Sequence, residues 1–127
     1  FYFENFKNNY TPDVICLSKT FGGGKSSISC LVIDDAVYNK EARDIFKSIL
    51  NSGYKDAFRS LNMEDSGFTY WDYGKSFSNN IGVRIDHFLL SSYAMDVCDK
   101  VFVDKEPRSW NKPSDHTPLC LEVNLWF

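Results

Sequence analysis

Towards its C-terminus the sequence reads Lys112-Pro113-Ser114-Asp115-His116-Thr117-Pro118, which sets a carboxylate and an imidazole side by side. The apolar segment Leu119 to Leu125 follows directly and is predicted as a strand, which would hold the preceding loop in place. Loops positioned by a rigid element commonly carry catalytic groups, and the two prolines restrict the backbone on either side of the pair. The stretch therefore predicts a site built on Asp115 and His116, with an ordinary surface turn as the simpler alternative.

A second stretch, Asn80 to Leu90, is rich in β-branched and apolar residues and is predicted as a strand buried on both faces. It nevertheless contains Arg84 and Asp86, and buried charges need partners. By alternation these two side chains share one face of the strand, and His87 lies on the other. A buried Asp86 is therefore expected to accept a hydrogen bond from His116. A histidine oriented by a carboxylate is half of a general acid/base or phosphate-binding device.

Three motifs occur in a fixed order along the chain. They are Phe68-Thr69-Tyr70-Trp71-Asp72-Tyr73, Gly82-Val83-Arg84-Ile85-Asp86 and Glu106-Pro107-Arg108-Ser109-Trp110-Asn111-Lys112-Pro113-Ser114-Asp115-His116-Thr117-Pro118. Their order and spacing resemble the C-terminal half of exonuclease III, the abasic-site endonuclease of the endonuclease/exonuclease/phosphatase superfamily, over about Glu41 to Phe127. The fold that this resemblance implies is α/β, the C-terminal half of a two-layer α/β sandwich.

The resemblance also implies an activity. The family hydrolyses a phosphodiester 5′ to abasic sites in double-stranded DNA and removes nucleotides from 3′ ends, using Mg²⁺ or Mn²⁺. By resemblance, His116 would stabilise or protonate the phosphoryl oxygens, Asp86 would orient His116, and Asp115 would help to hold the metal. The implied substrate-binding side chains, around a small apolar pocket for the extruded abasic sugar, are Tyr70, Val83, Ile85 and Arg84.

Half of that catalytic site has no counterpart in the sequence. The family's metal-binding Glu, its site Tyr and its Asp-x-Asn motif belong to its N-terminal half, and no stretch before Glu41 resembles them. A lone carboxylate is a poor Mg²⁺ site, and an unactivated water is a poor nucleophile. We therefore expect the chain alone to be inert or very weak as a nuclease, unless a second chain supplies the missing half. A remnant that binds DNA without cutting it is an alternative.

The segment before Glu41 includes Pro12-Asp13-Val14-Ile15-Cys16-Leu17-Ser18-Lys19-Thr20-Phe21-Gly22-Gly23-Gly24. It resembles the cofactor-lysine segment of class III aminotransferases, which depend on pyridoxal phosphate (PLP), and Lys19 would form the Schiff base. The segments that would bind the rest of the cofactor are absent, so Lys19 is interpreted as a relic. A fragment of a PLP-dependent aminotransferase is the second alternative. The two resemblances meet near Asn39 to Glu41, which predicts an aminotransferase-like fragment at residues 1–40 and an exonuclease III-like half-domain at residues 41–127.

Composition fits a globular protein, since the 127 residues are 43% apolar and 17% aromatic. The net charge of −3 argues mildly against a nucleic-acid partner. Five cations nevertheless lie around the predicted site loops, namely Lys75, Arg84, Lys105, Arg108 and Lys112. No apolar run approaches the ~18 residues of a membrane span, and no leader-like segment opens the chain, so we expect a cytoplasmic protein without membrane contact.

Local patterns also predict individual elements. Lys40 to Asn51 is predicted as an amphipathic helix that ends at Gly53, because apolar residues recur at helical spacing. The other predicted strands are Asp13 to Leu17, which is expected to be buried, Phe68 to Tyr73 and Val101 to Val103. Short helices are predicted at Tyr54 to Arg59 and Ser91 to Lys100. The four scattered cysteines are interpreted as reduced core thiols, namely Cys16, Cys30, Cys98 and Cys120.

Overall fold

The structure is a computed structural model that describes residues 14–17 and 40–124. Its strands are β1 (Val14–Leu17), β2 (Lys55–Asp56), β3 (His87–Leu90), β4 (Cys98–Val103) and β5 (Leu119–Val123). Its helices are α1 (Lys40–Asn51), α2 (Ala57–Leu61) and α3 (Ser92–Asp96), with a 3₁₀ turn at Glu106–Ser109. Strands and helices alternate along the chain, as the α/β prediction requires. Lys19 and Cys30 lie outside the described residues.

Helix α1 has the bounds that its apolar spacing predicts. Its buried Ile49 packs in one cluster with Tyr54 and Leu89, and Ile45, Phe46 and Leu50 lie against that cluster. The amide of Gly53 donates to the carbonyl of Leu50 at 3.1 Å, and Gly53 adopts φ 109°. A residue without Cβ takes this conformation readily, so the predicted stop at Gly53 is confirmed.

Three strands form one antiparallel sheet in the order β1-β3-β2, and β4 pairs with β5 in a second antiparallel sheet. Central strand β3 separates two apolar clusters, because successive side chains of a strand point to opposite faces. Leu89 packs with Ile49 and Tyr54, whereas Leu90 packs with a second cluster. The buried members of that second cluster are Ala57, Phe58, Leu90, Ala94 and Val101. The predicted burial of both faces is therefore confirmed for His87–Leu90.

The prediction of a buried strand at Asp13 to Leu17 is wrong about its environment. Strand β1 lies at an edge of its sheet, where Val14 is 44% exposed and Cys16 is exposed. Among the described residues β1 has a strand neighbour on one side only, and the side chains of Val14 and Cys16 lie on a face that these residues leave uncovered. The core-thiol prediction is accordingly wrong for Cys16, and Cys98 and Cys120 are half-buried.

Several strand and helix bounds differ from the predictions. Phe68 to Tyr73 makes only single bridges, through Tyr70 to Val83 and to His116, and the Asn80 to Leu90 stretch becomes regular strand only at His87. Helix α3 ends at Asp96, and β4 begins at Cys98 because it pairs from there with β5. Long-range pairing thus overrides local propensity in these segments. No helix in the described part of the chain is long and apolar enough to cross a membrane.

Candidate active site

The side chains of Asp86 and His116 are in contact, as the sequence predicts. Nδ1 of His116 lies 3.0 Å from Oδ2 of Asp86, and the two side chains are 20% and 11% exposed respectively. A carboxylate only accepts hydrogen bonds, so Nδ1 of His116 carries a proton and donates a hydrogen bond to Asp86. The other ring nitrogen, Nε2, is buried and has no hydrogen-bond partner among the described residues. The pair is therefore an oriented imidazole whose second ring nitrogen has no partner in the part of the chain that the structure describes.

The segment around Tyr70 lies between the backbone segments that carry Asp86 and His116. The amide of Val83 donates to the carbonyl of Tyr70 at 3.0 Å, and the amide of Trp71 donates to the carbonyl of Asp115 at 2.9 Å. Tyr70 forms antiparallel bridges with both Val83 and His116. Residues far apart in sequence are thus brought together by short bridges rather than by a continuous sheet.

The side chain of Arg108 makes a hydrogen bond to the backbone of the loop before His116. This arginine is 8% exposed, donates from Nη1 to the carbonyl of Ser114, and lies over the ring of Phe77 at 5.2 Å. Ser114 Oγ in turn accepts the His116 amide hydrogen at 3.1 Å. Arg108 thus adds a side-chain contact to the loop that the two prolines are predicted to restrict, and sequence reasoning counted it only as one of the cations near the site. Its position one residue after Pro107, at the start of the loop, was the available signal.

The residues predicted to line a sugar pocket divide into two groups. The ring of Tyr70 meets the imidazole of His116 edge to face, with centroids 5.2 Å apart, and Val83 is half-buried beside it. Ile85 is 5% exposed and belongs to the interior. Tyr70 and Val83 thus lie at the Asp86–His116 pair, and the binding roles of all three residues stay predictions.

Arg84 contacts Asp56 and also His87, the residue that the alternation placed on the other face. Asp86 contacts His116, so the prediction that Arg84 and Asp86 share one face fails in these contacts. Nη2 of Arg84 lies 2.8 Å from Oδ2 of Asp56, and its Nη1 lies 3.1 Å from Nδ1 of His87. Residues 84–86 precede the start of β3, and strict alternation does not hold outside a regular strand. Contact between Arg84 and a substrate stays a prediction, since the guanidinium already has these two partners.

Asp56, which sequence reasoning missed, holds this second group of charges together. Burial alone would raise the pKa of Asp56, but the nearby His87 ring, 3.8 Å away, together with the hydrogen bonds and the charge of Arg84, outweighs it and holds the pKa far below the ordinary carboxyl range. Asp56 also accepts the amide hydrogen of Arg59 at 3.2 Å as the N-cap of α2. An Asp directly before an apolar helical turn was the available signal.

The described residues do not by themselves form a divalent-cation site. Asp115, the predicted metal ligand, is half-buried, and its Oδ1 lies 3.4 Å from Oγ of Ser114. Within residues 14–17 and 40–124 no group of three His, Cys, Asp or Glu side chains is placed to hold a metal. Mg²⁺ takes several oxygen ligands, so Asp115 would need ligands from elsewhere.

Strand β1 brings one residue of the first segment near the site. Partial burial and then the charge of Asp86 raise the pKa of Cys16. Cys16 pairs in register with Phe88, two residues after Asp86. The neighbourhood of the site therefore includes a residue from the segment that resembles an aminotransferase.

Comparison with known proteins supports the resemblance read from the three motifs. The chain is 37% identical over 84 residues to exodeoxyribonuclease III of Haemophilus influenzae, a match covering 65% of this chain and 32% of the relative. No protein-family model matches the chain. The chain thus spans about a third of the length of this relative. The aminotransferase resemblance of residues 1–40 gains no support from these comparisons.

Two solved structures show the same fold. The 3′ phosphatase NExo from Neisseria, bound to a product DNA hairpin, matches with a TM-score of 0.65 and 31% identity, over 72% of this chain and 38% of the other. An AP endonuclease from Archaeoglobus fulgidus matches with a TM-score of 0.67 and 27% identity, over 79% of this chain and 39% of the other. The fold class is therefore confirmed as part of an exonuclease and AP endonuclease α/β fold.

The second of these matches bears on the first segment of the chain. Residues 41–127 are 87 of the 127 residues, or about 69% of the chain, whereas the Archaeoglobus match covers 79% of it. Part of residues 1–40 therefore lies within the matched region. The boundary near Glu41 stays a prediction.

Proposed function

We propose that this chain is part of a DNA-repair nuclease of the exonuclease III type, acting by metal-dependent phosphodiester hydrolysis at abasic sites and 3′ ends of duplex DNA. The observation that carries the proposal is the 3.0 Å contact between Asp86 Oδ2 and His116 Nδ1, which leaves Nε2 without a partner among the described residues. A protonated imidazole held in this way donates from Nε2 to a phosphoryl oxygen, and the carboxylate stabilises its positive charge.

The roles of the neighbouring residues follow from their positions. Asp86 fixes the tautomer and orientation of the imidazole. Tyr70 contacts the imidazole and bridges to Val83, so these two residues would form the wall that an extruded abasic sugar contacts, and the buried Ile85 would support it. Arg84 is the weakest of the predicted substrate contacts, because Asp56 already neutralises it.

A divalent cation at this site would need more ligands than Asp115 supplies. Asp115 is the described carboxylate nearest in sequence to His116, and Mg²⁺ or Mn²⁺ would supply Lewis-acid stabilisation of the phosphoryl group. The described donor set is too small to hold such an ion. We infer that the remaining ligands come from residues outside the described ranges or from a separate chain, and that the described residues contribute phosphate contact and substrate placement.

Duplex binding tests the proposal. Fluorescence anisotropy would compare the full chain on a duplex with one abasic analogue and on the same duplex without it. We expect tighter binding of the abasic duplex, and about tenfold weaker binding after His116→Ala, since a hydrogen bond to a charged group is worth about that factor. The chain has two histidines, so His87→Ala is the comparison variant: it removes a side chain in contact with Arg84 and should weaken binding less than His116→Ala does.

The same samples separate a nuclease from a binding remnant. Nicking that needs Mg²⁺ or Mn²⁺ and is abolished by His116→Ala supports the nuclease. Abasic-specific binding without nicking supports a DNA-binding remnant. Equal affinity of wild type and His116→Ala for both duplexes would remove the proposed role of the Asp86–His116 pair.

A further inference from the structure

We propose that Thr69 is a positioning residue that sets the distance between Asp86 and His116, an inference that rests on the proposed function. Its side-chain Oγ1 accepts the amide hydrogens of Ile85 and Asp86, each at 3.2 Å. Its backbone carbonyl accepts the amide hydrogen of Thr117 at 2.9 Å. One residue thus holds the backbone of Asp86 with its side chain and the backbone next to His116 with its main chain.

The hydroxyl of Thr69 replaces a missing sheet ladder. With the described residues, the segment before β3 makes a single bridge, at Val83, and Ile85 and Asp86 are not assigned to a regular strand. Their amide hydrogens are buried with those residues and need an acceptor. Thr69 is 0% exposed, so its hydroxyl is shielded from bulk water.

The pair depends on this arrangement because neither partner is on a regular element. Asp86 precedes β3 and His116 precedes β5, so each side chain is only as well placed as the backbone that carries it. A hydrogen bond weakens steeply outside a narrow range of distance and angle, and functional groups must be held to about 0.5 Å. Loss of the Thr69 hydroxyl should therefore loosen the Asp86–His116 contact without removing either residue.

The test reads the contact directly rather than activity. In the ¹⁵N-labelled full chain, NMR would measure how fast the His116 Nδ1 proton exchanges with solvent in wild type, Thr69→Val and Thr69→Ser. Valine keeps the shape but cannot accept, whereas serine keeps the hydroxyl. We expect exchange about tenfold faster in Thr69→Val, the factor that one lost buried hydrogen bond represents, and within about threefold of wild type in Thr69→Ser.

The matched control is Ser91→Ala. Ser91 Oγ also accepts a backbone amide hydrogen, from Ala94 at 3.1 Å, but this hydrogen bond caps α3 and does not hold the segments that carry Asp86 or His116. This variant should lose stability with no specific change at the His116 Nδ1 proton. If Thr69→Val does not fold, Thr69→Cys takes its place, because a thiol is a weak acceptor. Its exchange rate should be faster than in the wild type and Thr69→Ser, but slower than the rate expected for Thr69→Val.

The outcomes distinguish this inference from the proposed function. Faster exchange in Thr69→Val with rescue in Thr69→Ser supports the positioning role, even if no DNA is bound. Equal exchange in Thr69→Val and Thr69→Ser, or a change no larger than in Ser91→Ala, overturns it. Failure of the abasic duplex to bind overturns the proposed function and leaves the positioning result standing.

Discussion

Asp56 is the residue whose charge the described fold depends on most clearly. Its carboxylate pairs with Arg84 at 2.8 Å, and the two side chains are only 10% and 16% exposed. Asparagine at this position would leave a nearly buried guanidinium without its counter-ion. We expect Asp56→Asn to lower the free energy of unfolding by about 2 to 4 kcal/mol at pH 7, measured by urea denaturation. The control is Glu122→Gln, whose partner Lys100 is 4.0 Å away on the surface, and it should change stability by less than about 1 kcal/mol.

The same residue predicts how stability depends on pH. Because its pKa is lower in the folded than in the unfolded state, the ionised carboxylate contributes its full stabilisation above the ordinary carboxyl pKa of about 4. That contribution is lost as the pH falls below this value. Wild-type stability should therefore drop between about pH 5 and pH 2, and the Asp56→Asn profile should be flatter over the same interval. Parallel profiles for the two proteins would contradict this assignment.

Individual residues differ in how far the sequence could predict them. The contact between Asp86 and His116 was predictable because a buried carboxylate needs a donor and the second histidine was excluded. The partner of Arg84 was not predictable, since Asp56 lies 28 residues earlier in a segment predicted as helix. A local pattern carries no information about which distant charge completes an ion pair.

At the scale of elements, helices with local periodicity were predictable and the short bridges were not. Helix α1 needs only its own apolar spacing, whereas the bridge between Tyr70 and Val83 depends on how closely two segments approach. Gly82 permits that approach. A Cβ at Gly82 would lie 2.7 Å from the carbonyl oxygen of Tyr70 and 2.7 Å from Nε1 of Trp71. A backbone oxygen cannot move aside without separating the two segments.

We therefore expect Gly82→Ala to disturb the site as well as the stability. The overpacking should cost about 1 to 3 kcal/mol in urea denaturation and shift the NMR signals of Tyr70 and His116. Gly74→Ala is the control, because open space surrounds its Cβ and only its φ of 87° is unfavourable. It should lose some stability and leave the Tyr70 and His116 signals in place. Identical spectra for Gly82→Ala and the wild type would show that the segments tolerate a wider spacing.

At the scale of the whole molecule, the two sequence resemblances predict a fragment at residues 1–40 and a half-domain at residues 41–127, and strand β1 bears on whether the two fold independently. Strand β1 pairs along its length with central strand β3, and Ile15 lies opposite the fully buried Leu89. Ile15 also packs against the cluster of Ile49, Tyr54 and Leu89. A separate unit would not share a sheet and a core cluster with its neighbour.

Truncation of Ile15 distinguishes the two arrangements, because Trp71 is 0% exposed and, with Trp110 and Trp126 replaced by Phe, its fluorescence alone reports unfolding of the second segment. If β1 is part of one cooperative fold, Ile15→Ala should lower the stability that Trp71 reports by about 1 to 3 kcal/mol, the cost of a partly buried side chain. Val14→Ala is the matched control, since Val14 is 44% exposed on the same strand and its loss should be small. A Trp71 transition that is unchanged by Ile15→Ala would favour two independent units with a boundary near Glu41.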